Sequence, residues 1–205
     1  MGDSPTALIW LLNKIYVRVI HHVQASGTAT IPRTSHPGKL IVVCKHQSPI
    51  DPLLVQSQCR FKIRWLMARE YMSPELDFIW KYSQVIPVAR DGKDSVALRT
   101  ALRCLRDDGV IGIFPEGGIH NPRNAIHPFA EGIGAMIAIS KAKVLLVTVD
   151  GTPQNDEMED AIFERSRSTV AFLDLIQYPE SSTKSEITND LRRRLSEATG
   201  WTLVN

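Results

Sequence analysis

Short apolar runs alternate with amphipathic stretches along most of the chain. Leu40–Cys44 (LIVVC), Val110–Phe114 (VIGIF) and Val144–Val149 (VLLVTV) hold at most one polar residue each and are too short for helices. Such runs predict strands covered on both faces. Phe61–Ala68, Val85–Val88 and Thr169–Tyr178 are further strand candidates. Between these runs the period changes. Leu98, Ala101, Leu102 and Leu105 recur at helical spacing with Arg99, Arg103 and Arg106 opposite, predicting a helix capped by Asp94 and ended by a left-handed Gly109. Helices are also predicted over Pro52–Ser57 (Ser48 as N-cap, Pro49 at the first helical position), Leu76–Tyr82 and Ala130–Lys141. A capping box of Thr183 and Glu186 predicts a last helix with Leu191, Leu195 and Ala198 inward. Ser26–Lys39, with two Pro, two Gly and several Ser and Thr, reads as a connecting loop or irregular edge strand, and Glu116–Pro128, rich in Gly, Pro and Asn, as a loop. Strands alternating with helices predict an α/β layered fold, its central sheet largely parallel or mixed and flanked by helices.

The N-terminus differs from the rest. From Ala7 to Val23, twelve of seventeen residues are apolar, interrupted by Asn13, Lys14, Arg18, His21 and His22. At about 100° per residue, the four basic residues fall on one narrow stripe. The run is shorter than the roughly 18–20 residues of a membrane span, and no basic region precedes Ala7 as in a signal peptide. Two expectations share this pattern: a helix lying in a membrane interface, or one packed on its own domain. The predicted division is an N-terminal helix over 1–25 and one domain over 26–205.

Composition narrows the function classes. The 205 residues are 43% apolar and 22% charged, which excludes a disordered or collagen-like chain. Twenty-four basic and 22 acidic residues give +2, too balanced for nucleic-acid binding by bulk charge. Cys44, Cys59 and Cys104 form no metal or redox motif and read as reduced core thiols of a cytoplasmic protein.

Two segments carry chemistry, each directly after a buried strand. The first is His46-Gln47-Ser48-Pro49-Ile50-Asp51. On a continuous helix His46 and Asp51 would diverge by about 140°, but Pro49 breaks that geometry and lets the two face each other. A carboxylate on one imidazole nitrogen frees the other to act as a base. Ser48-x-x-Asp51 reads equally as a helix-capping pattern. The second segment is Phe114-Pro115-Glu116-Gly117-Gly118, an acid beside glycines that open the backbone to a ligand. Glu116, His120 and His127 suggest a metal site only weakly, because the intervening Pro and Gly oppose a helix that would align them. No GxSxG elbow is present.

Taken together, HxxxxD, a strand carrying Arg90 in the block Val85–Arg90, FPEG and an apolar strand from Val144 to Val149 resemble the glycerolipid acyltransferase family of lysophosphatidate acyltransferases, over about Leu40 to Pro153. The resemblance implies that His46 and Asp51 are the catalytic pair. It implies that Arg90, Glu116, Gly117, Gly118 and Arg123 bind the acceptor, Glu116 orienting its glycerol or head group. It further implies acyl-CoA or acyl carrier protein as co-substrate, a lyso-lipid acceptor, and a peripheral place on the cytoplasmic face of a membrane, with no metal, no other cofactor and no nucleic-acid partner. One departure stands out. The family continues FPEG with Thr-Arg-Ser, whereas this chain reads Gly118-Ile119-His120. Either Arg123, Arg90 or His120 replaces the missing guanidinium, or the acceptor is not a phosphomonoester. The alternatives are an acyltransferase of the same fold acting on another lyso-lipid, such as an amino-acid lipid, and a non-catalytic lipid-binding protein.

Overall fold

The computed structural model describes residues 4–72, 77–89, 95–130 and 132–204. The apolar runs form the middle of a seven-stranded sheet. β2 (Leu40–Cys44) is buried at every residue because both of its faces are covered. β5 (Val110–Ile113) and β7 (Lys143–Asp150) flank it, both parallel to it. β3 (Arg64–Ala68) and β4 (Ile86–Val88) continue the parallel array beyond β5. On the other side β8 (Thr169–Ile176) runs antiparallel to β7, and β1 (Gln24–Ser26) pairs parallel with β8 at the edge. The order is β1-β8-β7-β2-β5-β3-β4, so the sheet is mixed and largely parallel, as predicted.

Side chains alternate across each strand, so Ile41 and Val43 face one layer while Leu40, Val42 and Cys44 face the other. The first layer is α4 (Ser95–Arg106), α5 (Gly132–Ser140) and α7 (Lys184–Thr199), which contribute Leu105, Ile137 and Leu191. The second is α1 (Ser4–Val19), α2 (Asp51–Gln58) and α6 (Met158–Phe163), which contribute Val17, Leu54 and Ala161. α3 (Asp77–Ser83) leads into β4. A small ladder of β6 (Ala125–Ile126) and β9 (Thr202–Leu203) ties the C-terminus to the loop after β5.

Several boundaries differ from expectation, each for a physical reason. α2 begins at Asp51 with Ile50 as N-cap and no side-chain cap; the Ser48 hydroxyl is buried without a partner. Asp51 has taken the backbone N–H of Ser48 instead. At the end of α4 the left-handed residue is Asp108 (φ 56), not Gly109. Gly109 is needed for space, since a Cβ there would lie 2.4 Å from Cys104 Sγ. The expected cap Asp94 lies outside the described residues. The capping box of Thr183 and Glu186 forms, but the inward face of α7 is Ile187, Leu191 and Leu195; Ala198 is exposed.

α1 docks on α2 and α6 through few groups. Val17 is buried, Asn13 Nδ2 donates to the Leu53 carbonyl (3.0 Å) and Tyr16 Oη to that of Ile162 (2.9 Å). Its outward face leaves Leu8, Ile9, Leu11, Leu12, Ile15 and Val19 between 41% and 56% exposed. His21 does not share the exposed stripe of Lys14 and Arg18. The chain turns at His22 (φ 41), and His21 is buried with Nε2 2.8 Å from Tyr16 Oη and Nδ1 2.9 Å from Ser166 Oγ. Among the described residues no helix is long and apolar enough to cross a membrane.

Candidate active site

β2, β3, β4, β5 and β7 all end at one edge of the sheet, and both chemistry-bearing segments begin there. The helix after β2 (α2) covers one face of the sheet and the helix after its neighbour β5 (α5) covers the other, so the switch point lies between these two strands, the usual place for a crevice in an open α/β sheet. Lys45 and His46 follow β2; Phe114, Pro115 and Glu116 follow β5.

His46 and Asp51 face each other. His46 Nδ1 lies 2.9 Å from Asp51 Oδ2, and the carboxylate is fully buried while the imidazole is 17% exposed. The same oxygen accepts the backbone N–H groups of Gln47 (2.6 Å) and Ser48 (2.9 Å). An ionised carboxylate only accepts hydrogen bonds, so Nδ1 carries the proton and Nε2 presents a lone pair. The imidazole also stacks on Phe114 (centroids 3.8 Å apart, planes at 12°), and Phe114 stacks on Trp65 (4.7 Å, 12°). Gly112, the β5 partner of Trp65, leaves room for the indole, since a Cβ there would come within 2.5 Å of it. The ring is therefore held by a hydrogen bond in its plane and an aromatic wall on its face.

On the other side of the strand ends, Lys45 Nζ lies 2.9 Å from Glu116 Oε2, both side chains wholly buried. The contact is an ion pair rather than an aligned hydrogen bond. Lys45 Nζ also donates to the His46 carbonyl (3.0 Å), and Glu116 Oε1 accepts the His127 N–H (2.8 Å). Lys45 carries no motif, but its signal was present. It continues the Ile41, Val43 alternation into a buried face, where a lysine needs an acid.

The other expected acceptor residues are dispersed. Gly117 makes the exposed turn after Glu116 (φ 77), with Gly118 beside it. Arg123 points back into the protein: it donates to the carbonyls of Gln47, Pro153 (3.2 Å) and Gln154 (2.7 Å) and pairs with Asp156 (2.6 Å). Gln47 Nε2 answers on the Arg123 carbonyl (3.0 Å). Arg123 thus ties the loops after β2 and β7 together. Arg90 lies outside the described residues. Arg69, which the motif reading passed over, is exposed directly after β3 at the active edge. His120 Nε2 sits 3.1 Å from the Glu116 carbonyl and its ring 5.0 Å from that of His127. Cys44 is fully buried, and burial, reinforced by Asp51, pushes its thiol well above the usual thiol range. It is a core side chain rather than a nucleophile.

Known proteins bear on this geometry in three ways. No curated protein matches the chain significantly. Among solved structures it is similar to the 1-acyl-sn-glycerophosphate (LPA) acyltransferase PlsC from Thermotoga maritima, with a TM-score of 0.77 at 18% identity, covering 98% of this chain and 83% of that one. At that identity the likeness is one of fold. The Acyltransferase family profile matches residues 22–150. That stretch is more than half the chain and contains the imidazole–carboxylate pair, its aromatic wall and the FPEG turn, so the chain belongs to the Acyltransferase family and is an acyltransferase.

Proposed function

We propose that this enzyme moves a fatty acyl group from acyl-CoA or acyl carrier protein to the hydroxyl of a lysophospholipid, with 1-acylglycerol-3-phosphate as the reference acceptor. The observation that carries the reading is the His46–Asp51 pair, with Nδ1 bound and Nε2 available. A lyso-lipid hydroxyl has a pKa of roughly 15 and needs a positioned base to attack a thioester. Nε2 takes the hydroxyl proton as the oxygen bonds to the acyl carbon. The C–S bond then breaks, and the thiolate leaves and recovers the proton. Asp51 stays ionised throughout and balances the transient imidazolium. Cys44, wholly buried, is not placed to take up the acyl group. The reaction as written draws on no metal or bound cofactor.

The exposed face of α1 supports a peripheral membrane location. Six large apolar side chains face solvent there, with Lys14 and Arg18 beside them. An apolar face edged by cations suits an anionic lipid surface, each cation contributing about 1 kcal/mol. We place that surface on the cytoplasmic side.

One observation favours a second acceptor class. Ile119 stands where the family has Arg, and the Arg123 guanidinium is engaged inside the protein. Both favour a lyso-lipid without a phosphomonoester. The test is mass-spectrometric product analysis of the purified protein with palmitoyl-CoA and palmitoyl-acyl carrier protein, each against lysophosphatidate, lysophosphatidylcholine and a mono-acylated amino-acid lipid. Phosphatidate formation supports the first reading. Acylation of the amino-acid lipid alone supports the second. No acylation with any pair contradicts both.

A further inference from the structure

Glu116 belongs to the motif that the sequence assigns to the acceptor, yet its carboxylate has no surface to offer one. Its side chain is wholly buried, Oε2 faces Lys45 and Oε1 holds the His127 N–H. Lys45 is as deeply buried, and its second contact is the carbonyl of His46 itself. The pair therefore joins the end of β5 to the peptide that carries the imidazole. We propose that Lys45 and Glu116 are positioning residues, which lock the backbone of His46 in place from the side opposite its aromatic wall, and that Glu116 does not touch the acceptor. This rests on His46 being the base.

The physical consequence is specific. A buried charge whose partner is removed is left uncompensated and draws in water or moves its strand end, whereas removing both charges leaves neither. Loss of one partner displaces His46, which both substrates need in the transition state. A residue that binds the acceptor would weaken that substrate alone.

The experiment compares wild type with Glu116→Gln, Lys45→Met and the double variant Lys45→Met/Glu116→Leu. The full chain is assayed with 1-acylglycerol-3-phosphate and palmitoyl-CoA, with thermal melting alongside. Each single variant should lose about tenfold to a hundredfold in kcat, with the KM for either substrate moving less than about threefold. The double variant should regain about tenfold over the slower single variant and melt above both. If a single variant does not fold, the double variant decides against wild type: a kcat reduced about threefold to tenfold with an unchanged acceptor KM upholds the pair, and an undiminished kcat overturns it. A rise of about tenfold or more in acceptor KM in Glu116→Gln, or a double variant that recovers nothing, overturns it. Failure of the base reading is separate, since His46→Ala would then retain turnover while the pair still behaved as a structural unit.

Discussion

Asp51 Oδ2 accepts from His46 Nδ1, Gln47 N and Ser48 N, all within 2.6–2.9 Å. Only an anion suits that convergence of donors, and the same charge then balances the imidazolium formed as the hydroxyl is deprotonated. An asparagine side chain in its place, turned one way, keeps an acceptor there but loses the charge; turned the other way, it sets a donor against three donors. Asp51→Asn should therefore lower kcat by about 10²–10⁴ and stability by about 1–3 kcal/mol. Turnover within about threefold of wild type in folded protein would leave Asp51 as a helix-start residue only. This pair was legible in the sequence because Pro49 forbids the continuous helix that would have separated it. The partner of Lys45 and the inward turn of Arg123 were not: a lone cation reveals its partner only when the chain is folded. The sequence also pointed Arg123 towards the acceptor, whereas its donors meet three carbonyls and Asp156.

Among the elements, α1 decides how the enzyme meets a lipid. Its ties to the body run through Asn13, Tyr16, Val17 and His21, none of them on the outward apolar face. Leu12 and Ile15 are 54% and 50% exposed, so Leu12→Asp with Ile15→Asp should leave the melting temperature nearly unchanged. The same change should abolish co-sedimentation with anionic liposomes. Unfolding of the variant, or undiminished sedimentation, would contradict an interfacial helix. His21 makes a second prediction. Its pKa lies below the ordinary 6.5 because burial, reinforced by His22, disfavours the imidazolium. The unfolded chain therefore takes up a proton first as the pH falls. The stability from this site is complete above about pH 6.5 and declines below it, by at most about 1.4 kcal/mol per pH unit, until the folded value is passed. His21→Gln should be less stable than wild type at pH 8 and should lose less on going to pH 5.5. Equal losses, measured by chemical denaturation at both values, would mean that His21 does not sense pH. Periodicity predicted α1 but not the burial of His21, which depends on a turn after the helix.

For the whole molecule, the sequence disclosed the class of fold and the interior of the sheet, because runs such as Leu40–Cys44 admit no exposed face. It did not disclose strand order, which depends on contacts between distant segments, nor β1, β6 and β9, which hold two or three residues each. α6 was not legible because its six residues make fewer than two helical turns, too few for an apolar face to repeat. What the assembled sheet adds is convergence: the segments after β2 and β5, separate in sequence, meet at one edge to hold a single imidazole. The most direct test of that claim is acyl transfer by purified His46→Ala protein, with 1-acylglycerol-3-phosphate and palmitoyl-CoA, beside wild type of equal helicity and melting temperature. The account predicts a loss of turnover of about 10²-fold or more. Turnover close to wild type would contradict it.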